Sequence, residues 1–550
     1  MTQMEAISQQ LVALQIRLGK VERDDASKIK SLTEENAKLK EKNFQLEAQL
    51  AWFKRQVFGC KSEKKKAVDP RQLTIPFEEW QNEAEQIEEQ RKQADEEIAQ
   101  QKKETTQKKD KKHPTRLMTQ GLPRREVIEK VEGYDLSKYK LLGYEESETL
   151  ETEPGKLYVL VHKRPIYGLI NGCVVPPKGQ LGIIVAPAPV VPIPKGLPGF
   201  SLIAEVMLDK FLYYLPYYRQ HQKYLHLGID LPKTTIEGWF KPVAEMLKPL
   251  YEVLQTAVLT ETDYLQSDGT TIPVVNKEKH KALKEYIWTL RAPLLKLICY
   301  TYPNEGSRSG KTGKELLGNF KGYLQTDDYS VYESICKEAL ACHVGCWAHS
   351  RRYLEKSEKE NEKVTAKPMS CIQQMYNVEH IADSKNMTPE QRKVLRQKMS
   401  APMIDALEEW LVEAAGLPEV QYRPKGLLGN AVNHISKIMS TLKVYLTDGR
   451  LEIDNNGVER AQKNIVIGRK NWLFAGNHEA AENTCIIVSL LASCKECGVN
   501  PREWLMDVMP VMAKYRDEKS ITGKYPCNVD LRSLLPDKWE SKNPPKSNTI

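Results

Sequence analysis

DYLQSDGTTIPVV, Asp263 to Val275, is a β-branched and apolar run with a carboxylate near its middle. EYIWTLRAP and LLKLICYTYP follow, then a helical KTGKELLGNF, a second short run GYLQTDDYSVY, and ALACHVGCWAH. Runs rich in Val, Ile, Thr, Tyr and Trp and bounded by Gly or Pro predict strands. Three consecutive strands, a helix, a strand, a helix and one more strand predict a mixed α/β sheet, not a doubly wound one. Two of the strand ends carry carboxylates, Asp268 in LQSDGT and Asp327 with Asp328 in LQTDDY. If those strands lie side by side, Asp268 and Asp327 meet at one edge of the sheet. A third carboxylate from a distant helix would then complete a cage for two Mg²⁺, the arrangement that clamps the attacking and leaving oxygens of a phosphoryl transfer.

Glu459 is the candidate for that third place. It stands in IDNNGVERAQKNIVIGRKNWLFAGN, Ile453 to Asn477, among Arg460, Lys463, Arg469 and Lys470, with Asn471 and Trp472 closing the segment. One reading makes Glu459 a metal ligand beside a polyanion, the four cations phosphate contacts, and Trp472 either a platform for an unpaired base or a core residue. The other starts from Asn456-x-x-Glu459, which has the spacing of a capping box, so that Glu459 merely satisfies a helix N-terminus. Spacing alone leaves both open.

Working outward, the chain after Ser350 reads as helix for about a hundred residues to Lys443, and EAAENTCIIVSLLASCKEC and NPREWLMDVMPVMAKY are further helices. His349, Arg351 and Arg352 follow a strand at the sheet's active edge and are expected to touch substrate. Upstream, LPYYRQHQKYLHLGIDLPKTTIEGWFKPVAEML reads as a helix, a turn at Gly228-Ile229-Asp230, and a second helix opening at Thr234 or Thr235. A helix-turn-helix places such a second helix in a DNA major groove, although any two antiparallel helices joined at a Gly share the pattern. Residues 150–198 alternate in short apolar runs broken by Gly and Pro, a small β-rich module. Gln81 to Arg116 is too polar to build a core and reads as a linker or solvated helix. From Leu11 a heptad seam runs through Leu18, Leu32, Leu39, Leu46 and Phe53, broken at Asp25, with Asn36 and Asn43 on the companion seam. That pattern predicts a parallel dimer whose register the buried amides fix, the alternative being an amphipathic helix packed on its own domain.

A chain of 550 residues, 41% of them hydrophobic, is long enough for several domains. No run of about 18 apolar residues occurs, which points to a soluble, cytoplasmic protein without a membrane partner. The net charge of +8 has the sign expected for a phosphate-bearing partner. Eleven Cys, an odd number without framework spacing, fit reduced thiols. Cys342, His343, Cys346 and His349 straddle a strand and its exit, where alternate residues face opposite sides, so they are not expected to hold zinc. Cys494-x-x-Cys497 sits in an apolar helix before Gly498, a helix-stop position, and reads as buried thiols.

LQTDDYSVY, HVGCWAHSRRYL and IDNNGVERAQKNIVIGRKNWLFAGN together resemble the signature of the IS66-type family of bacterial insertion-sequence transposases. The heptads, KRQVFGCKSEK at Lys54 to Lys64 and YLPYYRQ fit as well, so the likeness covers nearly the whole chain. The resemblance implies a ribonuclease H-like core with an Asp, Asp, Glu triad, interrupted before the Glu by a helical insertion. Carried over, the triad falls on Asp268, Asp327 and Glu459, with Asp268 bridging both Mg²⁺. The family has an acidic residue after the first Asp and Gly after the second, whereas this chain has Gly269 and Asp328. The family also carries paired Cys upstream of the helix-turn-helix, whereas Leu117 to Pro198 holds only Cys173, so no zinc is expected there. The implied organisation is a multidomain α+β chain: 1–60 coiled coil, 61–116 linker, 117–198 β-rich module, 199–258 helix-turn-helix region, 259–352 first part of the core, 353–450 helical insertion, 451–515 last part of the core, and 516–550 tail.

The expected function is therefore a DNA transposase that cuts the ends of an element and joins the freed 3′-hydroxyls to target DNA. It would be nucleoid-associated when bound and would work beside small accessory proteins. The alternative is a dimeric helix-turn-helix regulator without catalysis, which would have no use for three converging carboxylates.

Overall fold

The computed structural model describes residues 122–540, except 132–135, 154, 171–182, 277–279, 328, 340 and 527. The heptads, the polar linker, Cys173 and Asp328 lie outside the described residues. The first sheet holds β1 (Arg124–Ile128), β2 (Tyr139–Glu153), β3 (Lys156–Leu169) and β4 (Ile183–Val185). Its centre is β3, with β1 parallel on one side and β2 antiparallel on the other; β4 also pairs with β3, antiparallel. The sequence placed the first strands near Leu150, but β2 already begins at Tyr139. Most of Lys140 to Glu148 is exposed, so no apolar alternation announces this strand. Cross-strand charges to β3 line it instead, including Arg164 with Glu145 at 2.6 Å and Lys163 Nζ with Glu146 at 3.7 Å.

Helices α1 (Phe200–Phe211), α2 (Tyr217–His226), α3 (Lys233–Gly238) and α4 (Phe240–Thr260) follow. Glu151 of β2 accepts the backbone N–H of Ser201 at 3.0 Å, satisfying one free donor in the first turn of α1 and tying it to the sheet. Gly228, at φ +83°, lets the chain turn sharply between α2 and α3.

The second sheet is the mixed one that the sequence predicts. It contains β5 (Tyr264–Asn276), β6 (Lys281–Ala292), β7 (Leu297–Thr301), β8 (Tyr323–Gln325) and β9 (Cys342–Val344) in the order β7-β6-β5-β8-β9. The first three strands are antiparallel neighbours, and β8 and β9 join parallel to β5. The parallel strands are reached through crossover helices, α5 (Gly310–Leu317) before β8 and α6 (Ser330–Ala339) before β9.

After β9 the chain is helical, as expected: α7 (Trp347–Ser384, kinked at Asn361), α8 (Pro389–Met399), α9 (Ala401–Ala415), α10 (Pro418–Tyr422) and α11 (Leu427–Lys443). These helices enclose their own core, with Ile372, Met375, Leu407, Trp410 and Ile435 buried together. Then come α12 (Asn456–Trp472), α13 (His478–Cys497) and α14 (Pro501–Thr522). The main core lies between the second sheet, α4 and α13, around Leu250, Leu290, Tyr300, Ile487 and Leu491. Strand β7 is the edge of that sheet, and its outward N–H groups would be orphans. Ser489 and Ser493, one turn apart on α13, accept them from Tyr300 at 2.8 Å and Ile298 at 3.0 Å. Helix α13 stops at Gly498 in the left-handed conformation, φ +72°, where the sequence placed a stop. Among the described residues no helix is long and apolar enough to cross a membrane.

Candidate active site

Strands β5 and β8 pair residue for residue through a repeated tripeptide, Tyr264 with Tyr323, Leu265 with Leu324, and Gln266 with Gln325. Asp268 lies two residues beyond Gln266, and Asp327 two residues beyond Gln325. Parallel register therefore sends both carboxylates towards the same end of the sheet, Asp268 on β5 and Asp327 just past β8, and the two-residue period puts Asp268 on the face of Gln266. That face is covered by polar groups: Gln266 Nε2 donates to Gln325 Oε1 at 2.9 Å and Glu452 Oε2 at 3.0 Å, and Arg291 Nη1 donates to Gln266 Oε1 at 2.9 Å. Arg291 also holds Glu452 at 2.8 Å and Glu496 at 2.7 Å. Burial penalises the Glu452 charge, but Arg291 and the Gln266 amide outweigh that cost and keep its carboxyl below the usual range. Ser267 turns to the opposite face and meets Tyr332 of α6 at 3.1 Å.

The segment around Glu459 divides into parts with separate tasks. Asp454 accepts the backbone N–H of Asn456 at 3.0 Å and takes the Tyr376 hydroxyl at 2.7 Å, so Asp454 satisfies the start of α12. The Glu459 side chain makes no return bond of the kind a capping box needs. Its carboxylate, 5% exposed, meets Arg352 instead: Nη2 donates to Oε1 at 2.9 Å and to Oε2 at 2.8 Å. His349 Nε2 stands 3.6 Å from Oε1. Gly457 explains how α12 comes so near the sheet. A Cβ there would overlap Arg291 Nη1 and stand 2.6 Å from Gln266 Oε1.

Three carboxylates thus converge and perturb one another. Burial first, then Asp327 and Glu459, push the Asp268 carboxyl well above the ordinary range. Burial also raises Glu459; Arg352 opposes this, and Asp327 adds to it. Mutual repulsion of this kind marks a site short of positive charge, and the all-oxygen donor set fits hard divalent cations. Each carboxylate meanwhile keeps a partner of its own. Asp268 takes the Gly269 N–H at 2.6 Å, Asp327 takes the Tyr329 N–H at 3.2 Å with Arg308 Nη2 at 4.0 Å, and Glu459 is closed by Arg352. Among the described residues no group of three or more His, Cys, Asp or Glu is already arranged around an ion position.

The other residues singled out from the sequence separate by location. Arg460 is exposed beside Glu459, and Lys463, one turn further, is half-buried with its pKa lowered first by that burial. Lys470 is exposed at the far end of α12. Arg469 donates to the carbonyl and hydroxyl of Thr271 on β5. Asn471 accepts from Arg219 at 3.3 Å, and the Trp472 ring packs edge-on against Phe211, centroids 5.7 Å apart. These three fasten α12 to the sheet and to α1 and α2. Arg351 points inward on α7 to Glu355 and Gln373, both at 3.0 Å, whereas Arg352 and His349 face Glu459. Thr234 is exposed and Thr235 half-buried in the first turn of α3, which begins at Lys233. Cys342 is exposed while Cys346 is buried, accepting the Asn455 N–H at 3.2 Å, so the two thiols do not share a surface. Sequence reasoning missed Arg308, whose guanidinium lies 4.1 Å over the Tyr329 ring beside Asp327. Its only signal was a cation in the Gly- and Ser-rich SRSGK loop between two elements that carry the carboxylates.

The family model described as Transposase IS66 family matches residues 195–483, and that described as Transposase C of IS166 homeodomain matches residues 45–127. Three proteins of Sinorhizobium fredii (strain NBRC 101917 / NGR234) are similar along most of their length. Uncharacterized protein y4jD is 26% identical over 90% of this chain and 94% of its own. Uncharacterized protein y4qI is 28% identical over 70% and 72%, and uncharacterized protein y4hP 26% over 74% and 72%.

Proposed function

The chain belongs to the Transposase IS66 family, and we propose that it cuts the ends of an insertion sequence and joins the freed 3′-hydroxyls to target DNA by phosphoryl transfer at Asp268, Asp327 and Glu459. The observation that carries this reading is the convergence of the three carboxylates: Asp268 on β5, Asp327 two residues past the end of the parallel strand β8, and Glu459 buried on α12, each within electrostatic reach of another. The order β7-β6-β5-β8-β9, three antiparallel strands followed by two parallel ones, supports a ribonuclease H-like core, with α7 to α11 as its helical insertion.

Asp268, Asp327 and Glu459 would hold Mg²⁺, and two ions bound there would supply Lewis acidity and neutralise the charge that develops on the transferring phosphoryl group. The chain's own residues do the rest. Gly457 lets α12 seat Glu459 against the sheet, and the Gln266–Arg291–Glu452 network fixes the strand ends beneath it. Arg460 and Lys463 flank Glu459 where a phosphate backbone would run, and their charge favours DNA over neutral ligands. Thr234 and Thr235, in the first turn of α3, would contact duplex DNA away from the cut, and the N-terminal heptads would pair two copies. Work inside the bacterial cytoplasm, on the nucleoid and beside accessory proteins of the same element, belongs to the same reading.

The test is Mg²⁺-dependent nicking and strand joining on a plasmid carrying the DNA that flanks this reading frame. Asp268→Asn, Asp327→Asn and Glu459→Gln each lose cutting while retaining DNA binding and without a fall in melting temperature; Asp328→Asn keeps activity. Wild-type cutting by Glu459→Gln would refute the assignment of the third carboxylate.

A further inference from the structure

Glu459 faces a cation that belongs to the protein itself. A single nitrogen of Arg352, Nη2, bridges both carboxylate oxygens, and the other terminal nitrogen, Nη1, lies 3.2 Å from His349 Nε2. The side chain of Glu459 is 6% exposed and that of Arg352 27%, so the guanidinium forms the solvent side of the pair. A second guanidinium, Arg308, stands 4.0 Å from Asp327. Among these five side chains, three carboxylates against two guanidiniums leave a net charge of −1. If two divalent cations entered with both arginines unmoved, the same set would carry −1 + 4 = +3, an excess that mutual repulsion disfavours. The bridging contact through one nitrogen lacks the two parallel bonds of a full Arg–carboxylate fork and is the weaker hold.

We propose that Arg352 is a positioning residue with two stations. Without metal it closes over Glu459; as cations and DNA enter, it leaves the carboxylate and takes a non-bridging oxygen of the DNA backbone. Resting on the metal-dependent reading above, this makes the active site self-locking, because Glu459 is delivered only when cation and phosphate arrive together. The closed state lowers apparent metal affinity in the absence of DNA by the fraction of molecules in which Arg352 has already released. DNA supplies the alternative partner, so metal and DNA bind with positive coupling.

The test uses the full chain and Mn²⁺ alone as the probe, followed by electron paramagnetic resonance, with wild type, Arg352→Gln, Arg352→Lys and Glu459→Gln. Without DNA, Arg352→Gln binds Mn²⁺ about tenfold more tightly than wild type, and Arg352→Lys, which keeps the charge but lacks the second terminal nitrogen that meets His349, falls between them. Addition of element-end DNA tightens Mn²⁺ binding to wild type but much less to Arg352→Gln. Cutting by Arg352→Gln at saturating Mn²⁺ is reduced at least about tenfold, because the phosphate station is lost. A merely structural Arg352 would lower the melting temperature and leave Mn²⁺ affinity unchanged or weaker, which overturns the proposal. If Arg352→Gln does not fold, Arg352→Lys decides by the same criterion. Wild type that binds Mn²⁺ through Glu459 while neither Arg352 variant binds more tightly sinks the lock alone. Wild type that binds no Mn²⁺ even when element-end DNA is present sinks both readings.

Discussion

Helix α7 carries an Arg–Glu pair near each end, and the two are built for opposite purposes. At its C-terminal end Glu379 receives Arg396 as a fork, Nε to Oε1 and Nη2 to Oε2, both at 2.7 Å, and Arg392 adds a bond at 2.9 Å. Arg396 spends its remaining donors on the carbonyls of Tyr445, Asp448 and Leu451. Both partners are essentially inaccessible, 0% and 1% exposed. Near the N-terminal end, Arg352 reaches Glu459 through one nitrogen and keeps a solvent face, and the carboxylate it holds is also repelled by Asp327. The first pair is complete and pins the chain that leads into Glu452; the second is left incomplete, as a site that must accept another ligand requires.

The largest expected effect separates the two by what fails. Glu459→Gln reduces Mg²⁺-dependent cutting at least about a hundredfold and leaves thermal melting nearly unchanged. Glu379→Gln does the reverse. Leaving Arg396 buried without its counter-charge costs about 3–5 kcal/mol of stability, read as a fall in the denaturant midpoint, while whatever folded protein remains still binds DNA. If both variants lose stability equally, the contrast between a closed and an open pair is wrong.

A smaller effect is expected where the two regions are joined. Gly457→Ala places a methyl against Arg291 Nη1 and Gln266 Oε1, which are locked by Glu452 and Glu496 and have little freedom to yield. Overpacking of this kind costs about 1–3 kcal/mol. Cutting should fall further than stability does, because α12 must lift and carries Glu459 with it. Parallel melting and cutting curves for Gly457→Ala check this.

Elements whose residues are neighbours in the chain were legible in the sequence. The strand, helix and strand succession from Asp263 predicted the second sheet, the polar and apolar spacing after Ser350 predicted α7 to α11, and Gly498 marked a helix end. The candidate acids stood out as carboxylates at two strand ends, Asp268 in LQSDGT and Asp327 in LQTDDY, and the parallel pairing of β5 with β8 sets those ends side by side. What stayed hidden were partners set by tertiary packing alone: Arg352 lies 107 residues before Glu459, and Arg291 lies 161 before Glu452. No local pattern distinguishes such cations from solvated ones. Thus Arg469 and Asn471 read as DNA contacts and Trp472 as either a base platform or a core residue, whereas in the fold they meet Thr271, Arg219 and Phe211. Strand β2 was hidden for a related reason, since most of Lys140 to Glu148 is exposed and the charges that line it meet partners on β3 that only the register brings opposite.

The smallest expected effect tests whether the open region is strained by its own charge. Asp268 has a carboxyl raised well above its ordinary value of 3.8 by burial and by Asp327 and Glu459. Between that ordinary value and the raised one, the folded protein binds more protons than the unfolded chain. Stability of the metal-free protein therefore falls as pH rises through that window, and the loss is complete above the raised value. Asp268→Asn removes this titration. In chelator it should melt higher than wild type at pH 7, by less than Gly457→Ala loses, and the advantage should shrink towards pH 4, where wild-type Asp268 keeps its proton. Glu379 supplies the contrast, because its carboxylate is fully partnered by Arg396 and Arg392 and Glu379→Gln only loses stability. An Asp268→Asn protein that melts lower than wild type at pH 7 in chelator would mean that Asp268 is a satisfied structural carboxylate, and the distinction between the two ends of α7 would not extend to the sheet beside them.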